Sequence, residues 1–128
     1  MAKRRKVQMR GKGRHGLEVF ANPAPQRDFT IRHVAPEFTS RCPVTGQPDF
    51  GTVIIEYVAD ELCVELKSLK FYLQAFREQG IFYEAVTNRI LDELVGALAP
   101  RRMRVETQWT PRGGINSTIV AEFTARRS

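Results

Sequence analysis

The sequence predicts an α+β fold: a four-stranded antiparallel sheet with two helices on one face. Three observations carry this. Strand-like runs pair up on either side of a central stretch, residues 68–99, in which apolar residues recur at helical spacing. Each pair is joined by a segment rich in proline and glycine, as hairpins are. The 128 residues, 42% of them hydrophobic, suit one domain with a modest core.

Taken in order, Asn22-Pro23-Ala24-Pro25 reads as a linker, and Phe29-Thr30-Ile31-Arg32-His33-Val34 alternates apolar and polar side chains like a half-buried strand. Thr52 to Val58 is rich in β-branched and aromatic residues and makes the second strand. Leu62-Cys63-Val64-Glu65 is a short extended piece. Ser68 offers an N-cap, Leu69, Tyr72, Leu73 and Phe76 keep helical spacing, and Gly80 is the expected stop. A second helix follows over Tyr83–Ala99, with Val86, Ile90, Leu91, Leu94, Val95 and Leu98 on its apolar stripe, and Pro100 prevents its continuation. Met103, Val105, Thr107 and Trp109 share one side of a third strand. The turn Thr110-Pro111-Arg112-Gly113-Gly114 leads to a fourth, Ile115 to Phe123, so the order is ββααββ.

Two helices cover one face of such a sheet and leave its edges open. Closing several sheets edge to edge into a barrel removes those edges, which predicts a ring-forming homo-oligomer.

The net charge of +6 is local. Seven basic residues and no acid fall within residues 1–16, whereas residues 17–128 hold 13 basic and 14 acidic residues, a net of −1. The body is therefore no general polyanion binder, and residues 1–25 read as a basic, flexible tail ahead of a single domain at 26–128. Two cysteines and two histidines, none at ligand spacing, predict neither a disulfide framework nor a metal site. No apolar run approaches the roughly 18–20 residues of a membrane span, and the charged N-terminus is not followed by the apolar region of a signal peptide. The chain reads as cytoplasmic.

The chemistry concentrates in Cys42-Pro43-Val44-Thr45-Gly46-Gln47-Pro48-Asp49. Pro43 and Pro48 bias their neighbours to extended backbone and Thr45-Gly46 supplies a turn, so a thiol and a carboxyl are brought together at the ends of one stiff loop. Buried small hydrophobe and turn cap are the plain alternatives for the two residues. Lys67 and Lys70 surround a helix N-terminus, with Arg77 on the same side, and suit phosphates. Glu84 or Glu65, beside an aromatic such as Phe82, can accept paired hydrogen bonds from a guanine-like base. Arg112-Gly113-Gly114 is either an ordinary turn or a close approach to a phosphate.

Four strings, Cys42 to Asp49, Glu65-Leu66-Lys67-Ser68-Leu69-Lys70-Phe71-Tyr72, Phe82-Tyr83-Glu84 and Thr110 to Gly114, resemble in order and spacing the short single-module form of the QueF family. The resemblance spans about residues 29–123. It implies the tunnelling fold (T-fold), two stacked rings of five subunits with sites between subunits, and an NADPH-dependent oxidoreductase that converts 7-cyano-7-deazaguanine to its 7-aminomethyl form in tRNA queuosine biosynthesis, with no need of nucleic acid. Position by position it makes Cys42 the nucleophile that adds to the nitrile as a covalent thioimidate, and Asp49 the proton donor. Hydride from NADPH reduces the thioimidate, the thiol leaves, and a second hydride gives the amine. Val64, Glu65, Leu66, Tyr83 and Glu84 fall at substrate positions. Leu66, Lys67, Lys70, Arg112 and Gly113 fall at cofactor positions.

The chain departs from the family in two places. Tyr83 stands where many members have histidine; with a reference pKa of about 10 a phenol is a poor proton donor near neutrality, which shifts that work to Asp49. Leu66 replaces a common serine. Two rival functions stand beside the reductase: a QueF-like amidinotransferase acting on the nitrile in tRNA, against which the lysine motif argues, and a non-enzymatic RNA-binding module, which leaves Cys42 and Asp49 without a role.

Overall fold

The computed structural model describes residues 9–12 and 14–126. Strands β1 (Met9–Lys12) and β2 (Glu18–Ala21) come first, separated by a 3-10 turn at Arg14–Gly16. Then follow β3 (Thr30–Arg41), β4 (Pro48–Val58), β5 (Leu62–Val64), α1 (Leu66–Gln74), a 3-10 extension at Ala75–Glu78, α2 (Tyr83–Leu98), β6 (Arg102–Arg112) and β7 (Ile115–Thr124). The main sheet has the order β3-β4-β6-β7 and is antiparallel throughout, as expected from two hairpins flanking a helical pair.

The helices and one face of this sheet enclose the core. Val53, Ile55 and Tyr57 of β4 and Met103, Val105, Thr107 and Trp109 of β6 point inward, against Leu69, Tyr72 and Phe76 from the first helical segment and Val86, Ile90, Leu94 and Leu98 from α2. Each such apolar side chain contributes about 1.5–3 kcal/mol by leaving water. The sheet is not closed within the chain: β3 and β7 are its outer strands, and Val34 and Val120 on them are exposed.

Three local expectations are corrected. The cap of α1 is Glu65, not Ser68: its carboxylate accepts from the Lys67 and Ser68 amides, both at 2.7 Å, because Glu65 itself is extended and one turn earlier. Ser68 instead is buried and donates to the Glu65 carbonyl at 2.8 Å while accepting from the Glu18 amide at 2.9 Å. The helix also tightens into 3-10 geometry before Gly80, which places Phe76 in the core.

The third correction concerns residues 17–25, which are not tail. β2 pairs with β5, β1 with β2, and Leu17 is wholly buried. Asn22, expected in a linker, is buried as well and fixes the corner by donating to the Asp60 carbonyl at 2.8 Å. Three apolar residues, Leu17, Val19 and Phe20, suffice to dock the segment on the core despite the basic run before it. Residues 1–8 of the expected tail lie outside the described residues.

Candidate active site

The turn between β3 and β4 carries Cys42. The Cys42 amide donates to the Gln47 carbonyl and the Gly46 amide to the Cys42 carbonyl, both at 2.8 Å, and Gly46 closes the turn with φ +73°, a conformation that favours glycine. Partly exposed, the Cys42 thiol is pushed below its ordinary range by hydrogen bonds from the Thr45 hydroxyl and then from the Thr45 and Val44 amides, against smaller opposing effects of burial and the Asp49 charge. The loop is tied to the start of α2: the Arg41 amide donates to the Gln79 carbonyl at 2.9 Å, the Ile81 amide to the Arg41 carbonyl at 3.0 Å, and Gly80 packs on Pro43.

Asp49 is the second residue of β4 and its side chain is 7% exposed. Its Oδ1 accepts two hydrogen bonds, from the Tyr83 hydroxyl at 3.2 Å and from Arg112 Nη2 at 2.9 Å. Nη2 also donates to the Pro48 carbonyl. Burial, then the Asp49 charge, pushes the Tyr83 phenol above its ordinary range, so it stays a donor at neutral pH.

Tyr83 itself is held from behind. Its ring stacks on Trp109, centroids 4.0 Å apart and planes within 8°. The indole Nε1 donates to Thr107 Oγ1 at 2.9 Å, the Thr107 and Thr87 hydroxyls are bonded at 2.7 Å, and Thr87 Oγ1 donates to the Tyr83 carbonyl at 2.7 Å. Gly51 makes this possible: a Cβ there would stand 2.7 Å from the Gln108 carbonyl oxygen and 2.9 Å from the indole. Sequence reasoning placed Trp109 only on one side of the third strand; a tryptophan two residues from a threonine on that side was the available signal.

An open cleft of about 420 Å³ has Cys42, Asp49, Phe82, Tyr83, Glu84 and Arg112 in its wall. The expected catalytic pair is thus together, and Tyr83, Glu84 and Arg112 join it. Val64, Glu65, Leu66, Lys67 and Lys70 do not line this cleft. Val64 is buried, its amide donating to the Tyr57 hydroxyl at 3.0 Å. Leu66, Lys70 and Arg77 border a groove of about 310 Å³ between α1 and β3, and Lys67 a separate depression with Glu18 and Phe71. Lys67 therefore does not share the side of Lys70 and Arg77.

The start of α1 is not an open anion site. The two bonds that cap the helix also hold the Glu65 carboxyl below its usual range, Ser68 first and then Lys67, so a carboxylate already occupies those amides. The cationic side chains around it have the chemistry that a phosphate takes. Gly113 and Gly114 take left-handed conformations at φ +57° and +79° in the β6–β7 turn, outside the cleft wall. Among the described residues no cluster of His, Cys, Asp or Glu could hold a metal ion, and no helix is long and apolar enough to cross a membrane.

The family model for QueF-like proteins matches residues 48–128. The NADPH-dependent 7-cyano-7-deazaguanine reductase of Rhodopirellula baltica is 64% identical over 110 residues, covering 86% of this chain and 91% of that protein. The protein of the same name from Chlorobaculum tepidum is 58% identical over 107 residues, 84% of this chain and 92% of its own. The apo crystal structure of the archaeosine synthase QueF-Like superposes with a TM-score of 0.70 at 20% identity, over 77% of this chain and 96% of that one. That likeness is one of fold, and the fold is the expected tunnelling fold.

Proposed function

Since this chain belongs to the QueF family, we propose that it is an NADPH-dependent 7-cyano-7-deazaguanine reductase that turns the nitrile into a primary amine for queuosine synthesis. The observation that carries its chemistry is the cleft holding Cys42, Asp49 and Glu84 together. Cys42 is the nucleophile: its thiol, already lowered by Thr45, adds to the nitrile carbon. Asp49 delivers the proton that the nitrile nitrogen needs as sulfur attacks.

Glu84 at the rim grips the amine and ring N–H of the deazaguanine, and exposed Phe82 beside it offers a stacking face. The same Thr45 hydroxyl and amides that favour the thiolate make Cys42 a good leaving group later. Two NADPH molecules, bound in turn, would each supply one of the two hydrides of the four-electron reduction. Lys67, Lys70 and Arg112 would hold the cofactor's phosphates, with Leu66 and Gly113 against it.

We further propose that the working form is two stacked rings of five with sites between subunits. Two observations support it: the open strands β3 and β7, and the separation of Val64, Glu65, Leu66 and Lys67 from the Cys42 cleft within one chain. A neighbouring subunit would bring the second group to the first.

The reaction is tested by mixing the protein with 7-cyano-7-deazaguanine and NADPH and following nicotinamide absorbance alongside the protein's intact mass. Wild type is expected to oxidise NADPH, and Cys42→Ala to show neither turnover nor adduct. Turnover surviving in Cys42→Ala would refute the mechanism. Nitrile consumption without NADPH oxidation would point to amidine chemistry instead.

A further inference from the structure

Arg112 lines the Cys42 cleft. Its Nη2 is spent on Asp49 Oδ1 and the Pro48 carbonyl, while Nε and Nη1 make no hydrogen bond among the described residues. Tyr83 donates to the same Oδ1, and Asp49 Oδ2 has no donor among the described residues. Besides Asp49 of β4 itself, the charged and titratable groups of this cleft come from the turn (Cys42), α2 (Tyr83, Glu84) and β6 (Arg112).

We propose that Arg112 and Tyr83 are positioning residues for Asp49 in the half of the reaction that needs no cofactor: by occupying Oδ1 together they leave Oδ2 as the oxygen that relays the thiol proton to the nitrile nitrogen. This rests on the nitrile-addition reading above. In the step, the Cys42 S–H proton passes to Oδ2, the Sγ–C bond forms as one π bond of C≡N opens, and the proton goes on to nitrogen. The product is a thioimidate with a C=N–H group, and no electrons enter or leave.

Both donors can remain on Oδ1 throughout. A guanidinium has five N–H donors in a fixed fork, so the nitrogens Arg112 leaves free are still available to a phosphate. One arginine then serves the acid from one side and the cofactor from the other. The Trp109 stack and the Thr87–Thr107 pair fix the tyrosine that completes the arrangement.

The test is adduct formation without NADPH. Protein and 7-cyano-7-deazaguanine are mixed over a range of pH and the gain in intact mass is timed for wild type, Arg112→Gln, Arg112→Lys and Tyr83→Phe. Arg112→Gln and Tyr83→Phe are each expected to slow addition about tenfold and to alter its pH profile, the loss of one strong hydrogen bond to a carboxylate. Arg112→Lys recovers part of the rate, since an ammonium still donates to Oδ1. Alkylation of Cys42 by iodoacetamide needs the thiol proton removed but none delivered to nitrogen, and is expected to slow clearly less than addition.

Addition at the wild-type rate in Arg112→Gln and Tyr83→Phe would overturn the proposal and leave Arg112 to the cofactor alone. Equal slowing of alkylation and addition would show general damage to the loop and overturn it as well. If wild type itself formed no adduct, the nitrile-addition reading would fall, and this proposal with it. Should Arg112→Gln fail to fold, Tyr83→Phe decides, because it keeps the stacked ring and removes one hydroxyl.

Discussion

The Cys42 cleft and the start of α1 are built in opposite ways. The cleft collects its residues from distant stretches, since Asp49 meets a tyrosine 34 positions on and an arginine 63 positions on, and it assembles them within one chain. The motif from Val64 to Lys70 is contiguous, yet its side chains scatter: Val64 and Leu69 into the core, Glu65 onto the helix cap, and Leu66, Lys67 and Lys70 into two grooves. Nearness in sequence did not make a site there, and distance did not prevent one in the cleft. For the proposed reaction, the groups that attack and protonate the nitrile lie in a single subunit, whereas the cofactor positions and the substrate positions Val64, Glu65 and Leu66 draw on residues that only assembly would bring alongside.

The strongest way to break this contrast is to remove the cations of α1. Lys67→Ala with Lys70→Ala is expected to raise the KM for NADPH at least about tenfold, the loss of two charge-assisted contacts, while cofactor-free addition keeps its rate. Slowed addition in that variant would mean that the two regions are one site.

A smaller effect sharpens the cleft side. The folded environment lowers the Cys42 pKa, so thiolate is present at a lower pH than the roughly 8.5 of a free cysteine. Thr45→Val removes the largest cause. The midpoint of Cys42 alkylation against pH should move upward and the rate at pH 7 fall a few-fold, as fewer thiolates are present; an unmoved midpoint would assign the shift elsewhere.

The smallest expected effect probes the other side. Glu65 has its pKa depressed by the Ser68 and Lys67 amides, so its stabilising contribution is present above the unfolded carboxylate value of about 4.3 and is lost as pH falls through the folded value. Thermal melts followed by circular dichroism should show Glu65→Gln melting a few degrees below wild type at pH 7, with the gap closing toward pH 3. A gap that persists in acid would mean that the carboxylate is not the cap.

Much of this architecture was legible because it is local. Alternation and β-branched runs gave the four long strands, the first two shorter than found, apolar spacing gave both helices, and the two prolines around Thr45-Gly46 gave the folded loop that joins Cys42 to Asp49. The family resemblance named the reaction from four short strings. What escaped was set by contacts between distant residues. Leu17 and Val19 were obscured by the basic run before them, though their strand docks on β5. Glu65 was passed over as a cap for the more usual serine three residues on. The bond from Arg112 to Asp49 and the stack of Tyr83 on Trp109 depend on the register of β4 with β6, which no window of sequence contains.

One measurement bears most directly on the central claim that Cys42 attacks a nitrile with Asp49 at hand. Protein incubated with 7-cyano-7-deazaguanine and no NADPH is digested and its peptides weighed. The account predicts one substrate mass on the peptide carrying Cys42, absent from Asp49→Ala over the same interval and discharged when NADPH is added to wild type. An unmodified Cys42, or the added mass on Cys63 instead, would contradict it.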